Sequence, residues 1–166
     1  MTDNIKVTAQ YSIRPDSEFE TYLEELRAMK AKNERNKAEK LPIINAIGKA
    51  KFDAIHEQLQ PIVSGMISYM NIVEKNSLKI EVVSRERLFT IKYYNNKYYA
   101  YIGNCLRDFN KYNEFSSEQR YYLEHWNEFD FIEKLSAELK KLINISILSE
   151  ERDINDVNKR LENIQK

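Results

Sequence analysis

The residues of this chain with the widest scope for chemistry are two histidines and a single cysteine. His125 lies close to Glu124 and Glu128, and either carboxylate can orient an imidazole as a general base. His56 has no second histidine at helical spacing and no neighbouring cysteine, so it does not form a metal-ligand pattern. Cys105 follows a predicted strand, and without an identifiable base we interpret it as a small buried hydrophobic residue.

The glycine content limits the kinds of enzyme that this chain can be. Phosphate-binding loops and dinucleotide-binding turns need closely spaced glycines, and the chain has three in total. A nucleophile elbow is missing as well. We therefore predict that the protein is not an enzyme and uses no cofactor and no metal. A catalytic site around His125 and Glu124 stays as a less favoured hypothesis. The simpler interpretation is that His125 is a surface residue of a helix.

Composition and charge restrict the partners and the compartment. The 166 residues include 26 basic and 26 acidic side chains, so bulk charge favours neither nucleic acid nor membrane. One cysteine excludes an internal disulfide framework and suits a reducing compartment. No apolar run approaches the ~20 residues of a membrane span, and residues 1–10 do not resemble a signal peptide. We expect a cytoplasmic protein, with a composition typical of an AT-rich bacterial, phage or plasmid genome.

The strongest β-strand pattern lies between Leu78 and Ile102. Asn95-Asn96 separates two runs of aromatic and β-branched residues, and asparagine tolerates the positive φ of a two-residue hairpin turn. A second short turn around Arg85-Glu86 completes an antiparallel meander. Its three strands are predicted near residues 78–84, 88–94 and 97–102.

Side chains alternate along a strand, so this register sorts the sheet residues onto two faces. The face that we predict to be buried, called the core face, contains Leu78, Ile80, Val82, Phe89, Ile91, Tyr93, Tyr98, Ala100 and Ile102. The opposite face, called the outer face, contains Lys79, Glu81, Thr90, Lys92, Tyr94, Lys97, Tyr99 and Tyr101.

The cationic and aromatic residues around the outer face are the candidates for contact with a partner. Tyrosine and arginine are enriched at the centres of protein interfaces, which favours a protein partner. Single-stranded nucleic acid also binds to faces that combine aromatic rings with cations. The simplest alternative is that these side chains only stabilise the sheet through cross-strand pairs. The candidate residues are Arg85, Arg87, Lys92, Tyr94, Lys97, Tyr99 and Tyr101.

The residues before the meander predict a strand followed by helices. Apolar and polar residues alternate over 5–13, which indicates a fourth strand. An apolar stripe at helical spacing runs from Phe19 to Met29, with Asp16 or Ser17 as its cap. Residues 30–40 are mostly charged and predict an exposed helical arm, and Pro42 after them is expected to mark a break or a new start. Further helical patterns follow from Ile43 to Val73, with Pro61 as a kink or a new start.

The residues after the meander also predict helices. Ser116 and Gln119 have the spacing of a capping box, and Ser149 is expected to cap a separate last helix. We therefore predict an α+β domain over residues 1–148 and a C-terminal helix over 149–166. That helix carries an apolar seam that needs a partner, either the helix of residues 19–29 or a second copy in a homodimer. The seam residues are Ile154, Val157, Leu161 and Ile164.

The fold class that these patterns predict is α+β, with a small antiparallel sheet packed against several helices. Without catalytic motifs, the unclaimed seam and the tyrosine-rich outer face favour a non-catalytic protein-binding protein of the inhibitor, immunity or adaptor type, from a bacterial or mobile-element genome. A nucleic-acid-binding regulator is the alternative. It would use the outer face and the basic stretch of residues 27–51.

Overall fold

A computed structural model describes residues 17–103, 109–114 and 116–166 of the chain. These residues form three α-helices, one 3-10 turn and a three-stranded antiparallel sheet, which confirms the predicted α+β class. The strand predicted over residues 5–13 lies outside the described residues. The chain divides into two units, Met1–Ile44 and Asn45–Lys166.

Helix α1 spans Ser17–Val73 and carries Glu18 and Glu20 in its first turn, where carboxylates favour the positive end of the helix dipole. The break expected at Pro42 is wrong, because α1 continues through it. A proline removes one backbone donor, but the neighbouring alanine, lysine, glutamate and leucine residues are strong helix formers. The helix ends where Glu74 adopts a φ of 55° and the Lys75 N–H donates to the Met70 carbonyl at 2.9 Å.

The sheet has the order β1-β2-β3, with β1 at Ser77–Ser84, β2 at Arg87–Tyr94 and β3 at Lys97–Ile102. The predicted register is confirmed in both hairpins. Ile80 lies opposite Ile91, and Ile91 in turn lies opposite Ala100. The core face is buried as predicted, except that Tyr93 and Tyr98 are half-buried at its border.

The two hairpin turns share a conformation but differ in residue type. The φ values are 47° and 61° at Arg85 and Glu86, and 51° and 61° at Asn95 and Asn96. Two consecutive positive values define a turn whose twist matches that of the flanking strands. Asparagine adopts this conformation readily, whereas arginine and glutamate do so at a cost.

The core lies between the core face of the sheet and the helices. From α1 it receives residues spaced by three or four, including Phe52, Ile55, Leu59 and Met66. The Phe89 ring from β2 lies 5.0 Å from the ring of Phe131 and 5.8 Å from that of Trp126, measured between centroids. The apolar stripe of α1 therefore belongs to the same buried core as the core face of the sheet, as its helical spacing predicts.

The free edge of β3 is closed by residues Phe109 and Asn110. The Phe109 N–H donates to the Ala100 carbonyl at 2.7 Å. The Asn110 side chain donates to the Tyr98 carbonyl at 2.6 Å and accepts a hydrogen bond from the Ala100 N–H. These bonds occupy backbone groups of β3 that point away from β2.

Helix α2 spans Ser117–His125 and begins with the predicted cap, because the Ser116 hydroxyl accepts the Gln119 N–H at 3.2 Å. The Gln119 side chain does not complete a capping box. Its Oε1 instead accepts the Asn113 N–H at 2.6 Å, and its amide group donates to the Lys111 carbonyl. Gln119 thus joins α2 to the segment before it.

A 3-10 turn at Trp126–Glu128 leads to α3, which spans Phe131–Gln165. Ser149 does not begin a separate helix, because α3 passes through it without interruption. Gly65 of α1 faces Leu139 of α3 so closely that a Cβ at Gly65 would lie 2.8 Å from the leucine Cδ2. The Ser146 and Tyr69 hydroxyls form a hydrogen bond of 2.9 Å, and every residue from Ile147 onward is exposed. How residues 149–166 pack stays a prediction.

Candidate functional site

The outer face combines lysine and tyrosine side chains from β2 and β3. The register places Lys92 opposite Tyr99 and Tyr94 opposite Lys97, so rings and ammonium groups alternate across the two strands. The sheet residues of the buried core all belong to the other face. Lys92, Tyr94 and Lys97 are exposed, and Tyr99 is half-buried. The face thus presents a cationic and aromatic surface.

Contacts between neighbours favour particular orientations of several outer-face side chains. The Lys92 Nζ lies 5.3 Å from the centroid of the Tyr94 ring, within the range of a cation–π interaction. The rings of Tyr99 and Tyr101 are nearly parallel, with an angle of 11° between planes and 6.5 Å between centroids. Side chains that already hold one orientation lose less conformational freedom when a partner binds.

The net charge of the outer face is positive. Its acidic residue, Glu81, pairs with Lys79 on the same strand, at 3.0 Å between Oε1 and Nζ. Lys92 and Lys97 add two further cations on the neighbouring strands. A partner with carboxylates or phosphates would therefore be attracted to β2 and β3.

Two predicted contact residues lie apart from this face. Arg87 pairs with the buried Ser84 and shares the alternation of Phe89, so it belongs to the border of the core face. Arg85 lies in the β1–β2 turn and donates to Glu128 Oε2 at 2.7 Å. The structure therefore does not bring Arg85 and Arg87 together with the tyrosines, because turn position and strand alternation place them apart from the outer face.

His125 has a carboxylate partner, as the general-base hypothesis requires. Its Nδ1 lies 3.0 Å from Glu128 Oε1, and Glu128 also binds Arg85. The partner is therefore Glu128 and not Glu124. The hydrogen bond from His125 lowers the pKa of Glu128, and Arg85 adds to this effect. All three side chains are substantially exposed, so the arrangement is a surface ion network.

His56 forms a hydrogen-bond network that the sequence analysis missed. Its Nε2 donates to the Phe109 carbonyl at 3.1 Å, which leaves the Nδ1 of a neutral ring to accept the Tyr98 hydroxyl at 2.8 Å. Gln60 also donates to the Tyr98 oxygen, at 3.4 Å. Burial raises the pKa of Tyr98, and the bond from Gln60 opposes this to a smaller degree.

The position of His56 within the apolar stripe of α1 is the sequence signal that could have indicated this network. It lies four residues after Phe52 and three before Leu59, on the side of the helix that enters the core. A half-buried tyrosine hydroxyl needs a partner, and a histidine on the facing helix is a suitable one. The network is therefore a structural link between α1, β3 and the segment of residues 109–114.

A concave region of about 330 Å³ lies between the end of β3, residues 109–113 and the start of α2. The Gln119 amide, one of the polar groups that line it, is already bonded to the backbone of Lys111 and Asn113. Among the described residues, no group of three or more acidic, histidine or cysteine side chains is arranged to hold a metal. No helix in that same part of the chain is apolar over enough length to cross a membrane.

Comparisons of the chain with protein-family models, with curated proteins and with solved structures find no match.

Proposed function

We propose that this chain is a non-catalytic protein-binding protein, of the inhibitor, immunity or adaptor type, that contacts its partner through the outer face. One observation carries the proposal: aromatic and cationic side chains lie together on one sheet face and orient one another, while the helices pack on the opposite face. These side chains are Lys92, Tyr94, Lys97, Tyr99 and Tyr101.

The chemistry of the face defines the partner. Tyrosine rings contribute large contact areas with few rotatable bonds, and they tolerate both apolar and polar neighbours. Lys92 and Lys97 favour carboxylates on the opposing surface. The expected partner therefore presents an acidic surface with apolar side chains between the carboxylates.

The test is a pull-down from lysate of the source cells with the intact chain as bait, followed by identification of the retained protein. We expect Tyr99→Ala and Tyr101→Ala to reduce recovery of that protein by at least about tenfold, as for residues at the centre of an interface. Tyr121→Ala is the control, because it also removes a tyrosine ring but Tyr121 lies on α2 and not on the outer face. Equal recovery with all three variants would exclude the outer face.

Nucleic acid is the second candidate ligand, favoured by the nearly parallel rings of Tyr99 and Tyr101 beside two lysines. Aromatic rings on a basic sheet face stack with bases in many single-strand binding proteins. The basic stretch of α1 supports this candidate less well. At about 100° per residue, its cations point to all sides of the helix and do not form one stripe. The cations concerned are Lys30, Lys32, Arg35, Lys37 and Lys40.

Mobility-shift assays separate the two candidates. Binding of single-stranded DNA or RNA that weakens steeply with salt, and that Tyr99→Ala reduces, would favour nucleic acid over a protein partner. If neither single-stranded nor duplex probes shift at low salt, the nucleic-acid candidate is excluded.

A further inference from the structure

The exposed end of α3 carries a regular apolar seam. Ile154, Val157, Leu161 and Ile164 are between 53 and 82% exposed, and Ile147 is 50% exposed. In a heptad, Ile147, Ile154 and Leu161 occupy the a positions, seven residues apart. The d positions are Glu150, Val157 and Ile164. We call these six residues the α3 seam.

We propose that the α3 seam pairs with the α3 seam of a second copy of this chain, with the two helices antiparallel. In this arrangement each a residue packs against a d residue of the other copy. Ile154 then meets Val157 of the second copy, and Ile147 meets its Ile164. The paired region covers residues 147–164, roughly 27 Å of helix at 1.5 Å per residue.

Glu150 argues against the parallel alternative. In a parallel pair in register, identical residues share a layer, so Glu150 would face Glu150 of the second copy inside an apolar seam. Two like charges in one partly buried layer repel each other. In the antiparallel pair Glu150 faces Leu161, and the two Glu150 residues are roughly 16 Å apart along the axis.

Asp153 and Arg160 argue for the antiparallel pair. Both occupy g positions, beside the seam, and in an antiparallel pair the g positions of the two helices lie next to each other. Asp153 then faces Arg160 of the second copy with an axial offset of roughly 3 Å. The two-fold symmetry repeats this ion pair. In a parallel pair the same residues would face Asn158 and Gln165, which carry no charge.

Charge reversal in the full-length chain tests the pairing. Sedimentation equilibrium of the intact chain should show a monomer–dimer equilibrium. We expect Asp153→Arg or Arg160→Asp to weaken dimerisation about tenfold or more, because each replaces two attractive pairs with two repulsive ones. The double variant restores opposite charges and should recover the original affinity. Lys159→Glu, with the same charge change as Arg160→Asp but at the f position on the far side of the helix, is the control and should leave affinity unchanged.

A distance measurement tests the orientation. A spin label at Gln165→Cys, in a Cys105→Ser background, should give a separation of roughly 28 Å along the axis in an antiparallel dimer, whereas a parallel dimer brings the two labels side by side. Because residues from Ile147 onward are exposed, these variants should leave the circular dichroism of the monomer unchanged. A chain that stays monomeric at all concentrations, a double variant that fails to recover affinity, or side-by-side labels would each overturn the proposal.

Discussion

The two faces of the sheet come from the same strands but have opposite properties. On the core face, Phe89, Ile91 and Ala100 have no exposed surface. On the outer face, residues one position away in sequence, such as Lys92 and Tyr99, remain in contact with solvent. Strand alternation alone produces this difference. Stability and binding therefore depend on different residues within the same three strands, and substitutions can separate them.

The largest effect is expected from breaking the core face. Phe89→Ala should lower the free energy of unfolding by about 3–5 kcal/mol, because it removes a fully buried ring that contacts Phe131 and Trp126. Urea denaturation followed by circular dichroism measures this loss. Tyr94→Ala, on the outer face of the same strand, should change the free energy of unfolding by less than ~1 kcal/mol. Equal losses for the two variants would contradict the division between the faces.

A smaller effect is expected at the border of the core face, where Tyr98 bonds to His56. Tyr98→Phe should cost about 1 kcal/mol of unfolding free energy, because it leaves the imidazole nitrogen without its hydroxyl donor.

The same substitution should also change the response to alkali. Burial raises the pKa of Tyr98 in the folded state, so its contribution to stability is complete below the ordinary value of 10.0 and is lost as the pH rises through the folded-state pKa. As the pH rises above 10, the free energy of unfolding should fall more steeply for the native chain than for the Tyr98→Phe variant. Parallel curves for the two proteins would show that Tyr98 does not cause the alkaline loss.

The turns determine which residues reach which face, and they offer a stabilising change. Glu86→Gly should raise the free energy of unfolding by up to about 1 kcal/mol, because glycine adopts a φ of 61° without steric cost. Asn96→Gly, at the equivalent position of the second turn, should gain only a few tenths of a kcal/mol, since asparagine already tolerates this conformation. Thermal melts of the two variants measure the difference. A larger gain at Asn96 would contradict this account.

The smallest effect concerns the ion network at the end of the sheet. The hydrogen bond from His125 lowers the pKa of Glu128 in the folded state. The ionised Glu128 therefore contributes to stability above the unfolded-state pKa, and this contribution is lost as the pH falls through the lower folded-state pKa. Glu128→Gln should therefore reduce the acid dependence of stability below pH 4.5, the ordinary pKa. Acid titrations of both proteins at low salt measure this. Arg120→Gln, a surface change on α2, serves as the control.

The sheet was predictable from sequence because its signals are local. Two short turns and strict alternation determine the register from Leu78 to Ile102, and the structure has the predicted pairs. The outer-face tyrosines followed from the same register. Arg85 and Arg87 did not, because one lies in a turn and the other at a strand end, where proximity in sequence does not indicate the face.

The helix boundaries and the His56 network were harder to predict because they depend on the surroundings. Pro42 and Ser149 have the residue types of a break and a cap, but α1 and α3 continue through them. Residue preference at one position is weaker than the summed preference of its neighbours. His56 meets Tyr98 across 42 residues of sequence, and nothing in the spacing of either residue indicates the other.

The closed edge of β3 has a consequence for how copies of this chain behave at high concentration. An open strand edge is a template onto which strands of other molecules can add, and such addition leads to aggregates. Asn110 offers its amide group in place of a neighbouring strand and so ends the hydrogen-bond ladder at β3. Together with the Phe109 N–H, this side chain opposes the addition of further strands at this edge.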